Sequence, residues 1–154
     1  SDVCSSDLKK IPQTKQVIMS DGGCNWLHAV VQISKKNKND GKKAIEETFA
    51  AHRSLKMVTV VDDDIDVSNL EEVIWAVLTR SDPATSIDII TNAWSTPLDP
   101  RIEPERKAKG DFTNSRAIID ACKPFWWKDQ YPKVNQPSQE MRKLARERFG
   151  YLLK

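Results

Sequence analysis

MVTVVDDDIDVSNLEEVIWAVLTR (57–80) is the stretch that decides the fold. It opens as an unbroken apolar run at 57–61, the pattern of a strand buried on both faces. It closes as a helix over 68–80, in which Leu70, Val73, Ile74 and Val77 are spaced to form one apolar stripe. Ser68 and Glu71 stand at the spacing of a capping box. Ser81-Asp82-Pro83 ends the helix. A buried strand running into an amphipathic helix is the repeating half of a strand–helix–strand unit.

Matching pieces lie on either side. Val17–Met19 and Leu27–Ile33 read as extended segments separated by a Gly22-Gly23 turn. DGKKAIEETFAAH (40–52) reads as a helix, with Ile45 and Phe49 four apart and Asp40 placed to cap the first turn. SIDIITNA (86–93) reads as a third strand. The order strand–helix–strand–helix–strand predicts an α/β fold, a small, mainly parallel sheet with flanking helices joined by right-handed crossovers.

From Trp94 to Pro137 the chain changes character. Six prolines break it up, and one β-like island stands at Arg116–Ile119. So long an irregular stretch is unusual inside a compact domain. Its aromatics, among them Trp94, Phe112, Phe125, Trp126 and Trp127, need a surface to pack on. The stretch is read as a long irregular arm that docks on a neighbouring domain or subunit. Ser138 then caps a C-terminal helix over 138–149, with Met141, Leu144 and Ala145 on one face and Gly150 as a stop. The predicted organisation is an α/β unit at 9–93, a docking arm at 94–137 and a C-terminal helix at 138–154. SDVCSSDL (1–8) has no periodicity and fits no targeting signal. It reads as a translated sequencing-library adapter, so the natural chain is expected to extend upstream of Lys9.

Composition excludes several classes. With 24 basic and 22 acidic residues, the chain lacks the charge excess of a nucleic-acid or anionic-membrane binder. KKNKNDGKK (35–43) is basic, but no aromatics interleave it to stack bases, so it is read as a solvated connector. No apolar run approaches the ~18 residues a membrane span needs. Apart from Cys4 in the leader, Cys24 and Cys122 are far apart and form no Cys-x-x-Cys pair. Reduced thiols and a cytoplasmic setting follow.

The aspartates at 62–66 admit three readings. Asp62, Asp63 and Asp66 spell D-D-x-x-D, a spacing that holds Mg²⁺ against a diphosphate, but that chemistry needs a helix wall and these acids follow a strand. A strand-end D-x-D could hold Mg²⁺ for phosphoryl transfer, and the carboxyl end of a strand is the right place for a ligand. No P-loop or second acidic strand end supports it. The third reading is a structural corner, in which the acids accept backbone amides and sit near the positive end of the next helix. His28 and His52 are the only histidines. Neither has a metal-spaced partner, so His28 is read as a hydrogen-bonded structural residue and His52 as a helix-end residue.

Taken together, GGCNWLHAVVQI (22–33), DGKKAIEETFAAHRSLKMVTVVDDDIDVSNLEEVIWAVLTR (40–80) and IDACKP (119–124) resemble the C-terminal part of the UbiD family of decarboxylases. The resemblance implies reversible non-oxidative decarboxylation of aromatic (hydroxybenzoate-like) or α,β-unsaturated carboxylic acids. It implies prenylated FMN, held with a divalent metal (Mn²⁺ or Mg²⁺) and K⁺ in the full-length protein. The family's catalytic glutamate–arginine–glutamate set and its metal ligands are expected upstream, so no catalytic or metal-binding residue is assigned here. Glu46-Glu47 and Glu71-Glu72 do not match that pattern and read as solvated helix faces. The segment alone is expected to be inactive and to bind no cofactor. In the family the C-terminal domain closes over the substrate side of the flavin and its last helices help assemble the oligomer. The expected partners are therefore a cofactor-binding N-terminal domain, further copies of the chain and a small carboxylic acid. Arg53 and Lys56 are candidates to reach the flavin phosphate, and Lys123 is a candidate for the active-site side. The alternatives are a non-catalytic assembly subunit of a multi-subunit decarboxylase and a Mg²⁺-dependent phosphotransfer domain.

Overall fold

The computed structural model describes residues 13–132 and 137–152. The leader at 1–8 lies outside the described residues. Five strands form one mixed sheet in the order β1-β2-β3-β5-β4. β1 (Thr14–Met19) and β2 (His28–Ile33) pair antiparallel. The tight link between them contains Gly23, where an added Cβ would lie 2.6 Å from the Cβ of His28. No other residue type fits that approach. Helix α1 (Asp40–Ala51) carries the chain to β3 (Met57–Asp62), which runs parallel to β2.

β3 is the keystone. Val58, Thr59, Val60 and Val61 are all buried, as the apolar run predicts, whereas Met57 at its start is exposed. Side chains alternate across a strand. Val58 and Val60 therefore join Val31, Ile33, Ile45 and Phe49 beneath α1. Val61 joins Val30, Ile65, Val73 and Ala76 beneath α2 (Leu70–Arg80) on the opposite face.

The structure corrects the expectation of a mainly parallel sheet. The third parallel strand is β5 (Thr113–Ala121), which takes the second edge of β3. β4 (Ile87–Trp94) follows the four-residue helix α3 (Pro83–Ser86) and lies outside β5, antiparallel to it and exposed along most of its length. The reason lies in composition. β4 carries the cleaner apolar alternation, whereas Thr113, Asn114, Ser115 and Arg116 disguise the start of β5. Apolar alternation marks a strand but does not name its neighbour. The stretch expected to be irregular from Trp94 thus supplies a central strand, together with a short helix, α4 (Pro104–Ala108).

Two caps also differ from expectation. Asn69, not Ser68, caps α2, with its Oδ1 accepting the Glu71 amide at 3.2 Å. Ser68 instead donates its hydroxyl and amide to Asp66 in a turn one residue earlier. Asp40 does not cap its own helix. Its Oδ2 reaches back to accept the Lys36 and Asn37 amides at 2.8 and 2.7 Å, closing the loop before α1. The expected stripe on α2 is split: Val73 is buried, while Leu70 and Ile74 face outward. The C-terminal helix α5 (Gln139–Phe149) is capped as expected, with Ser138 Oγ accepting the Met141 amide at 3.1 Å. Its Met141, Leu144 and Phe149 are exposed.

The corrected topology separates two isoleucines. Ile33 is 1 % exposed and Ile89 is 54 % exposed. Ile33→Ala is expected to cost about 2–5 kcal/mol in urea unfolding, and Ile89→Ala less than about 1 kcal/mol. Similar losses at both positions would mean that β4, not β5, lies inside the sheet.

Candidate functional site

Charged side chains gather at both ends of the parallel strands, and the two ends are wired differently. At the carboxyl end, β3 finishes in Asp62 and α2 finishes in Arg80. The Arg80 side chain is completely buried. Its Nη1 donates to Asp62 Oδ2 at 2.9 Å and to Asp64 Oδ1 at 2.8 Å, and its Nη2 donates to Asp64 Oδ2 at 2.9 Å. The guanidinium lies 5.3 Å from the Trp75 ring centre. Lys123, just past β5, completes the cluster with its amide on Asp62 at 2.7 Å and its Nζ on Asp64 at 2.6 Å. Burial pushes the Asp62 carboxyl up, against the pull of the Lys123 amide and Arg80. Burial acts the same way on Asp64, but hydrogen bonds from Arg80 and Lys123 outweigh it and hold that carboxyl below its ordinary value.

The acidic cluster is therefore a structural corner. Asp62 and Asp64 are committed to Arg80 and Lys123, and Asp66 is committed to Ser68. The D-D-x-x-D acids do not converge. Among the described residues no group of three or more His, Cys, Asp or Glu side chains is placed to hold a metal ion. A polar cleft of about 450 Å³ opens beside this corner, between Lys35, Asn39, Asp120 and Trp126. The Lys35 Nζ is paired with Asp120 at 3.2 Å.

At the amino end stand Arg53 and Lys56, just before β3, with Arg116 on the incoming half of β5. Lys56 Nζ donates to Asp99 at 2.8 Å. Asp99 is fully buried and also accepts from Ser95 Oγ at 3.0 Å, Asn114 Nδ2 at 2.9 Å and the Arg101 amide at 2.9 Å. Burial alone would raise its pKa. These donors, Lys56 foremost, hold it far below the usual carboxylate range. The Arg53 guanidinium lies 5.3 Å from the Trp94 ring centre. Arg116 Nη2 donates to the carbonyls of Arg53 and Trp94 at 2.7 and 2.5 Å, and its guanidinium lies 4.9 Å from the Phe49 ring centre.

Beside this end runs an apolar groove of about 440 Å³, walled by Leu27, Met57, Leu70, Ile74 and Ile119. His28 sits in it, with Nδ1 2.9 Å from Ser20 Oγ and Nε2 3.0 Å from Thr59 Oγ1. Burial lowers its pKa. It is the hydrogen-bonded structural histidine that the sequence suggests. His52 caps the C-terminus of α1.

The three sequence candidates thus do not form one site. Arg53 and Lys56 share the amino end, whereas Lys123 lies at the carboxyl end, roughly 20 Å away along a six-residue strand. Arg80, Asp99 and Arg116 were missed. Only contacts distant in sequence give them their roles, and an arginine opening a strand looks like any surface charge.

Comparison with known proteins bears on this geometry. Residues 3–121 match the family model described as the 3-octaprenyl-4-hydroxybenzoate carboxy-lyase C-terminal domain of UbiD. The match begins inside the 1–8 leader. The anhydromevalonate phosphate decarboxylase of Methanocaldococcus jannaschii is 45 % identical over 97 residues, covering 63 % of this chain and 23 % of that protein. Its counterpart from Methanothermobacter thermautotrophicus is 38 % identical over 126 residues, covering 82 % of this chain and 28 % of that protein. Among solved structures, the UbiD-class enzyme HmfF from Pelotomaculum thermopropionicum in complex with FMN superposes with a TM-score of 0.79 at 30 % identity, covering 93 % of this chain and 31 % of that one. The chain spans about a quarter to a third of the length of the relatives it matches.

Both charge clusters yield stability tests. Arg80→Met strands Asp62 without its cation and is expected to cost about 3–5 kcal/mol in chemical unfolding. Asp99 has a depressed folded-state pKa, so its contribution is complete above the ordinary aspartate value and is lost as pH falls through the folded one. Asp99→Asn is therefore expected to be destabilising at neutral pH, with the gap to wild type closing below about pH 4. A gap that stayed constant down to about pH 2 would show that charge is not what Asp99 contributes.

Proposed function

The chain belongs to the UbiD carboxy-lyase family, and from that premise we propose that it serves as the C-terminal domain of a non-oxidative decarboxylase acting on an aromatic (hydroxybenzoate-like) or α,β-unsaturated carboxylic acid. The carrying observation is the family match over residues 3–121, which takes in all five strands and the helices α1 and α2. The remaining two thirds or more of such a protein would supply the catalytic glutamate–arginine–glutamate set and the ligands for Mn²⁺ or Mg²⁺ and for K⁺.

Prenylated FMN, when bound, supplies the electron sink for loss of CO₂, while protein groups position reactants and move protons. The fit of this chain to that cofactor rests on charge. A phosphate needs donors that are not already spent. Lys56 is committed to Asp99 and Lys123 to Asp64, so both are weak flavin ligands. Arg53 is exposed, stacked on Trp94, and pairs with no carboxylate among the described residues. It is the sequence candidate best suited to reach the flavin phosphate. The adjoining apolar groove would then face the bound acid and exclude water, which strengthens the electrostatics of a decarboxylating site.

Assembly with further copies is supported by the exposed apolar residues Met141, Leu144 and Phe149 of α5. A cytoplasmic setting accords with Cys24 and Cys122, which form no disulfide among the described residues. Among the described residues no helix is long and apolar enough to cross a membrane. The phosphotransfer alternative loses its support because the carboxylates it requires are held by Arg80 and Lys123.

A chimera tests the proposal. Residues 9–154 would replace the matching C-terminal quarter of the M. jannaschii relative. The chimera would be loaded with prenylated FMN and assayed for CO₂ release from both acid classes, with the parent enzyme as control. Activity on at least one class is expected. A folded, flavin-loaded chimera that is silent on both would sink the carboxy-lyase assignment.

A further inference from the structure

The apolar groove has a polar floor whose hydrogen bonds do not close on themselves. Among the described residues its polar side chains are Ser20, His28, Thr59 and Lys56, and Lys56 is held by Asp99. The other three form a chain, with Ser20 Oγ 2.9 Å from His28 Nδ1 and His28 Nε2 3.0 Å from Thr59 Oγ1. Burial lowers the His28 pKa, so the ring is uncharged at neutral pH and carries one N–H. Ser20 and Thr59 add one O–H each. Three protons therefore serve two hydrogen bonds, and one is left over in either tautomer. If Nε2 carries the ring proton, it donates to Thr59 Oγ1, Ser20 donates to Nδ1, and the Thr59 O–H is free. If Nδ1 carries it, Thr59 donates to Nε2. Ser20 Oγ then accepts from both Nδ1 and the Gly23 amide, 3.1 Å away, and the Ser20 O–H is free. Thr59 is 2 % exposed and Ser20 6 %, so the free donor is shielded from bulk water. Leaving it unmet is costly, and the groove is the space that both hydroxyls border.

We propose that the Ser20–His28–Thr59 chain presents one hydroxyl donor to the groove, where it reads an acceptor oxygen on the buried end of the acid that binds there. The inference rests on the reading that this groove faces the substrate. The carboxyl group is the one lost, so its place is at the reacting centre. The oxygen that reaches the floor is a second one, such as a ring hydroxyl. The walls around it are aliphatic side chains and Met57. A single donor in such a setting discriminates, because a methyl group placed there leaves it unmet. The chain therefore selects a hydroxylated aromatic acid over an unsubstituted α,β-unsaturated one. The free hydroxyl touches the ligand, while His28 and the hydroxyl at the other end are positioning residues that fix where its proton points.

The test compares 4-hydroxybenzoate with 4-methylbenzoate, a pair of matched shape whose shared carboxylate cancels any pull from Lys56. Each is titrated into the 154-residue chain while the His28 ring resonances are followed by NMR, His52 being the only other histidine. 4-Hydroxybenzoate is expected to shift the His28 signals saturably and to bind about tenfold more tightly than its methyl analogue, the effect of one hydrogen bond. The ring nitrogen shifts of the free protein give the tautomer, and the tautomer names the free hydroxyl. With the proton on Nε2, the preference must vanish in Thr59→Val and return in Thr59→Ser. With the proton on Nδ1, it must vanish in Ser20→Ala. Thr59→Val keeps a β-branched residue in the strand, so the fold is retained. Equal affinity for the two acids, no saturable shift at His28, or a preference that survives the variant matched to the observed tautomer would overturn the proposal. A silent decarboxylase chimera with the preference intact would remove the carboxy-lyase reading and leave the donor site. An active chimera without the preference would do the reverse.

Discussion

The architecture follows from one constraint, a central strand with no solvent face. Val58 to Val61 of β3 are all buried, so apolar cover is required on both sides and a strand on both edges. α1 covers one face, α2 the other, and β2 and β5 fill the edges. Burying a strand this completely leaves its ends as the only places where charge can gather. That is why the functional question for this domain reduces to what sits at either end of β3.

The two ends solve the problem of charge in opposite ways. At the carboxyl end, Arg80 is drawn fully inside and surrounded by Asp62 and Asp64, with Lys123 closing the set. Breaking such a cluster is costly, while the intact set adds little net stability, because pairing roughly cancels desolvation. Its contribution is geometric: it ties the last turn of α2 to the loops after β3 and β5. At the amino end, Asp99 neutralises Lys56 through a dense local network, while Arg53 and Arg116 stack on Trp94 and Phe49 and pair with no carboxylate among the described residues.

Much of this was legible in the sequence, and the failures have physical reasons. The buried run at 58–61, α1, α2 and the Ser138 cap follow from local periodicity and capping chemistry, which a short window contains. The acidic corner was readable as structural because its aspartates lie between a strand and a helix. β5 was hidden because its first four residues are polar and pack at a sheet end, where polarity is tolerated. Its exchange with β4 was hidden because strand neighbours are chosen by long-range packing. Arg53 could be picked out as a basic residue on the loop before a predicted strand. Arg116 could not, since its contacts with the Arg53 and Trp94 carbonyls and the Phe49 ring are made between segments distant in sequence.

The late arrival of β5 also bears on how the chain reaches its native state. Between the end of β3 at Asp62 and the start of β5 at Thr113, the polypeptide must make α2, β4 and α4 before the second edge of the keystone strand can be filled. During vectorial synthesis that edge waits unpaired on the ribosome, presenting hydrogen-bonding groups flanked by valines. Closing so large a loop is entropically slow, and an open apolar edge recruits whatever strand is nearest. β4 is the nearest, and it already carries the better strand-forming sequence. The chain therefore contains a second strand-forming segment that reaches this edge first, and the native order places β5 there with β4 outside it.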